Sequence, residues 1–131
     1  MEEYKENIVA IRLADNAEFN VTVTIIEDDI VTMSVLLDNH LYEVNAEDIF
    51  PTFQQLRDKL LLNGIGLKCC GAMINAHQSG IMITSDKVYL LTLGEAALKK
   101  DIATIFDYAD SKEFPNTLEQ EKFAQKWFNS F

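Results

Sequence analysis

Residues 20–38 read NVTVTIIEDDIVTMSVLLD, and this stretch decides the fold. Val21, Val23 and Ile25 alternate with Thr22 and Thr24, the period-two signature of a strand with one buried face. Asp28-Asp29 then interrupts the run and marks a tight turn. Residues 30–38 (IVTMSVLLD) return as a second β-rich run, so 20–38 reads as a hairpin. Working outward, residues 7–13 (NIVAIRL) suit a preceding strand. Asn39-His40 reads as a further turn, followed by a short strand at 41–45 (LYEVN). The first third of the chain is thus expected to be an antiparallel meander.

The period changes over residues 46–63. Ile49, Phe53, Leu56 and Leu60 fall on one helical face, with Gln54, Gln55, Arg57, Asp58 and Lys59 placed off it. Asn45 or Asp48 is positioned to cap the helix. Pro51 disfavours helical backbone at Phe50, so regular helix is expected from Pro51. Asn63-Gly64 ends it. Residues 65–70 (IGLKCC) read as a buried strand and 71–80 as a loop. Residues 81–84 and 87–93 read as another hairpin turning near Asp86, ended by Gly94. A helical turn fits 95–100, and 101–106 leans to strand. Residues 107–116 are a polar loop ending at Pro115. Thr117 and Gln120 have capping-box spacing, opening a helix with Phe123, Ala124, Trp127 and Phe131 on one stripe. The expected fold is a single α+β domain over 1–131. It has an antiparallel or mixed sheet of about six to eight strands, with a mid-chain and a C-terminal helix packed on one face.

The 131 residues suit one domain. A hydrophobic content of 48% with 24% charged residues excludes a disordered chain. No apolar run approaches the roughly 20 residues of a membrane helix. The net charge of −10 argues against direct binding to nucleic acid, whose backbone is held mainly by Lys and Arg. The start, Met-Glu-Glu-Tyr-Lys-Glu, is acidic where a secretory leader is basic. Cys69 and Cys70 are adjacent, which does not make a disulfide framework. Both features point to a reducing cytoplasm.

The acidity is localised. Residues 1–48 hold twelve acidic and two basic side chains, whereas 49–131 hold nine of each. One reading is a solvated surface that resists aggregation. The other is a docking face for a basic protein, with Glu27, Asp28, Asp29, Asp38, Glu43, Glu47 and Asp48 as its candidate residues. Glu27-Asp28-Asp29 lacks the alternating ligand spacing of a calcium loop.

Chemistry-bearing motifs are sparse. Cys69, Cys70 and His77 are the one combination able to supply a thiolate nucleophile. On a strand the two cysteines face opposite ways, and buried cysteines act as small hydrophobes. Two adjacent Cys with the distant His40 and His77 do not make a zinc set. Phosphate-loop, dinucleotide, nucleophile-elbow and HExxH motifs are absent, and no cofactor is implied. The glycine-bearing loop 71–80 is the best-placed segment for a small-molecule site. Trp127, Phe128 and Phe131 crowd the C-terminus, as a docked aromatic face or as an interface anchor.

From Leu56 to Ser130 the chain resembles a family of small uncharacterised bacterial proteins. The shared order is a helix ending in glycine (Leu60 to Gly64), a Cys-Gly-Ala step (Cys70-Gly71-Ala72) and a Ser-Gly step (Ser79-Gly80). Tyr89 and Leu93-Gly94 follow, then Ile105-Phe106-Asp107, then a Gln-bearing helix with Trp-x-x-Ser (Gln120, Trp127, Ser130). Cys70 stands where that family commonly has Asn, and Ile81 where it commonly has Met. The resemblance implies a bacterial, cytoplasmic, single-domain protein and no particular reaction. Together these features lead to an expected acidic protein-binding module, in its sharpest form an immunity-type protein that occludes a basic toxin. The alternatives are a thiol enzyme or small-molecule binder using 69–80, and a self-associating structural subunit.

Overall fold

A computed structural model describes all 131 residues. Four strands open the chain: β1 (Glu2–Arg12), β2 (Ala17–Glu27), β3 (Val31–Leu37) and β4 (His40–Ala46). Helix α1 (Ile49–Leu62) leads into β5 (Ile65–Leu67), and these five strands form one antiparallel sheet in the order β4-β3-β2-β1-β5. The chain then builds a second, three-stranded antiparallel sheet from β6 (Ala76–His77), β7 (Lys87–Leu90) and β8 (Ile102–Thr104), and ends in α2 (Thr117–Phe128). The molecule is therefore α+β, with eight strands and two helices.

The core sits between α1 and one face of the larger sheet. The alternation in 20–38 does what its period requires: Val21, Val23, Ile25, Met33 and Val35 are all buried. Ile49, Phe53, Leu56 and Leu60 meet them from the helix. Each such side chain removed from water contributes about 1.5–3 kcal/mol. The turn Cys70–Ala72 and residues 105–106 extend this core, with the Phe53 and Phe106 rings edge-on at 5.8 Å. Gly71 has no room for a side chain there, since an added Cβ would lie 2.6 Å from Ile105 Cγ2. α2 packs against α1 and β6.

Several local expectations change. β1 begins at Glu2 rather than residue 7, paired along its whole length with β2. The turn after β3 is Asp38-Asn39, not Asn39-His40; both residues have positive φ, 51° and 63°, as a two-residue hairpin demands. Helix α1 starts at Ile49, ahead of Pro51. Proline in the first helical turn forfeits no hydrogen bond, because those N–H groups lack intrahelical partners. Strand β5 stops at Leu67, and Cys70–Ala72 turn instead as a 3₁₀ segment. The 81–84 strand does not form: Gly80–Met82 is a 3₁₀ turn, and β7 pairs with β6 and β8. The capping box of α2 is Asn116 with Glu119, one residue before the Thr117–Gln120 frame. Its buried stripe is Gln120 and Trp127, while Phe131 is exposed.

Candidate functional site

Register gathers acidic residues that the sequence keeps far apart. Glu2 lies opposite Glu27, and Val31 lies opposite both Glu27 and Ala46. The start of β1, the β2–β3 turn and the exit of β4 therefore share one end of the larger sheet. Glu27, Asp28, Asp29, Glu47 and Asp48 converge there, joined by Glu2 and Glu3. Asp38 lies at the opposite end of the sheet. Glu43 lies mid-strand on the edge strand β4, opposite Ser34, on the face turned away from α1.

None of these carboxylates enters an ion pair; the molecule's seven pairs use other acids. Asp48 occupies the position before the first turn of α1, yet its side chain makes no capping hydrogen bond. The local field is visible at Tyr4. Burial first, then Glu27, Asp86 and Glu2, hold its hydroxyl well above the ordinary phenol range. This end of the molecule collects carboxylates that have no ion-pair partner.

The cysteines diverge as their adjacent positions imply. Cys69 is fully buried in the core, and desolvation pushes its thiol up to about 12. Cys70 faces the other way, its Sγ 4.0 Å from the Tyr108 carbonyl. Desolvation, then Asp107, raises its thiol too. Neither is hydrogen bonded to His77, whose ring instead stands edge-on to Phe128 with centroids 6.0 Å apart. Burial lowers the His77 imidazole below its ordinary value, which keeps it neutral at pH 7.

His77 belongs to a groove between α1, α2 and the segment 76–83. Phe50 and Gln54 of α1, Glu121 and Phe128 of α2, and Ser79 and Ile83 of the loop line it. Two glutamines hold its walls, Gln120, which the sequence offered only as a capping and pattern residue, and Gln78, which it did not single out. Gln120, only 2% exposed, donates to the carbonyls of Gly71 and Met73 at 2.9 and 2.7 Å and accepts from Gln54 and Arg57. Gln78 Nε2 lies within hydrogen-bonding distance of the Met82, Ser85 and Lys87 carbonyls, which fixes the loop as turns. Glutamine has no characteristic period, so only the folded contacts reveal either role.

The residues of the resembling pattern turn out to brace one another. Gly94, with φ 80°, donates its N–H to Ser130 Oγ at 2.8 Å. Trp127 Nε1 donates to the Glu95 carbonyl at 2.8 Å. The Leu-Gly step and the Trp-x-x-Ser end are two halves of one clasp, which accounts for them structurally.

No helix is long and apolar enough to cross a membrane. No family model matches the chain. Two curated relatives are similar to part of it, each a heme sensor protein HssS of Staphylococcus epidermidis, from two strains. Each is 31% identical over 71 residues, which is 54% of this chain and 16% of the relative. The chain thus spans about a sixth of the length of the curated relatives it matches.

Proposed function

We propose that the protein is an acidic protein-binding module that docks a basic partner on the β1–β2–β3–β4 end of its larger sheet. The observation that carries this reading is the convergence of Glu2, Glu3, Glu27, Asp28, Asp29, Glu47 and Asp48 with no ion pair among them. Unpaired like charges repel and weaken a fold unless something offsets them. A cationic partner surface does so, and the same field speeds its approach. The mode of action is occlusion: carboxylates enter the cationic groove of a basic protein, such as a nuclease-type toxin, and keep its substrate out. The setting is a reducing cytoplasm, consistent with two buried free thiols.

The test is capture from host lysate at low salt, elution by salt, and rebinding of the purified eluted protein. One basic protein that rebinds stoichiometrically, with affinity falling steeply as salt rises, is expected. Asp28→Lys with Asp29→Lys should weaken it by on the order of a hundredfold, about tenfold per reversed carboxylate. Asp38→Lys, at the opposite end, should leave it nearly unchanged. Rebinding that ignores both salt and the Asp28/Asp29 reversal would sink the reading.

A further inference from the structure

The groove between α1, α2 and residues 76–83 adjoins the acidic end, because Asp48 immediately precedes the helical turn whose Phe50 and Pro51 line it. Its walls set glutamines beside apolar side chains that are incompletely covered: Phe128 is 56% exposed and Ile83 46% exposed. Its lining holds one charged side chain, Glu121, and no lysine or arginine. Ser79 Oγ is buried in the wall without a hydrogen-bond partner. The Gln120 and Gln78 braces hold the groove open in advance, so an occupant need not order it on binding.

We infer that this groove receives a cationic amphipathic segment of the protein partner, with apolar side chains set between Phe50 and Phe128 and basic ones against Glu121 and Asp48. The inference rests on the acidic docking reading and names the kind of segment that surface recognises. Charge complementarity selects the occupant. An acidic peptide would find a carboxylate and no cationic side chain here, and a purely apolar one would leave Glu121 desolvated and unpaired. An amphipathic helix presents anchors at i, i+3, i+4 and i+7, the spacing that suits a groove between two helices.

The probe is a Lys/Leu peptide of about 18 residues with its leucines on one helical face. Two companions are needed: the same composition scrambled, and a version with Gln for every Lys. Trp127, the single tryptophan and next to Phe128, reports binding to the full chain by fluorescence. Backbone amide shifts locate it. The amphipathic cationic peptide is expected to bind at least about tenfold tighter than either companion, shifting Phe50, Gln54, His77 and Ala124. Glu121→Lys and Gln125→Lys, both at exposed positions, should each weaken it about fivefold to tenfold. Equal binding of the scrambled peptide, with shifts confined to 27–29 and 47–48, overturns the groove inference and leaves the acidic docking reading standing. Equal binding of the uncharged peptide, or indifference to both lysine substitutions, also overturns the inference. No binding of any cationic peptide overturns both readings.

Discussion

Arg57 is 1% exposed, although its neighbours in α1 placed it with the solvated residues. Its Nε donates to Asp58 at 2.7 Å, and NH2 donates to Gln120 Oε1 at 2.5 Å and Thr117 Oγ1 at 3.3 Å. Its other terminal nitrogen has no acceptor. Gln120 in turn reaches the Gly71 and Met73 carbonyls, so two side chains join α1, α2 and the 3₁₀ turn after β5. Desolvation lowers the Arg57 pKa, yet guanidinium stays charged at any ordinary pH. Gln120→Leu should therefore be severe. It strands the Gly71 and Met73 carbonyls and removes one of the guanidinium's three acceptors, a loss of about 3 kcal/mol. Arg57→Met keeps the packed stem and removes the charge, so about 2 kcal/mol is expected. The double variant should lose less than the sum, because the two side chains share a bond. Urea unfolding of the three proteins checks this; strict additivity would mean the bond contributes little.

At the scale of elements, the β3–β4 hairpin turns on two residues with positive φ, Asp38 and Asn39. A two-residue turn of this hand favours glycine at its second position. Asn39→Gly should stabilise the protein by about 0.5 kcal/mol, less than the relieved backbone strain because glycine also gains freedom when unfolded. Asn39→Val, β-branched in the left-handed region, should cost about 1–2 kcal/mol. Equal denaturation midpoints for the two variants would refute the turn geometry. Elements whose periodicity is local were legible in the sequence, namely the 20–38 hairpin and the apolar face of α1, whereas 101–106 only leaned to strand over helix before β8 formed at Ile102–Thr104. Those set by distant contacts were not. Residues 81–84 read as one arm of a hairpin, but the Gln78 carboxamide bonds their segment into turns. The start of α1 was displaced by a rule about Pro51 that does not bind in a first turn. Arg57 was misplaced because its burial depends on α2, some 60 residues further on.

For the whole molecule, composition revealed how much charge the first third carries but not where it collects. Glu2, Glu27 and Glu47 lie far apart in sequence, and only the antiparallel register of four strands brings them to one end. That arrangement has a consequence for stability that does not depend on any partner. Elsewhere carboxylates are used: Asp110 and Glu18 hold the buried Lys68 at 2.8 and 3.1 Å, and Lys68 and Lys112 draw the Asp110 carboxyl down to about 2. At the acidic end no ion pair offsets the mutual repulsion. Neutralising it with Asp28→Asn, Asp29→Asn and Glu47→Gln together should raise stability by about 1 kcal/mol at low ionic strength. Near 1 M salt, where screening extends only about 3 Å, most of that gain should vanish. Asp38→Asn, alone at the other end, should leave the salt dependence of stability nearly unchanged. Thermal melts across a salt series check all three statements. A triple variant that is less stable at low salt would show that these carboxylates support the fold. If it is more stable yet loses the partner, the acidic end is a surface kept for binding against the interest of stability.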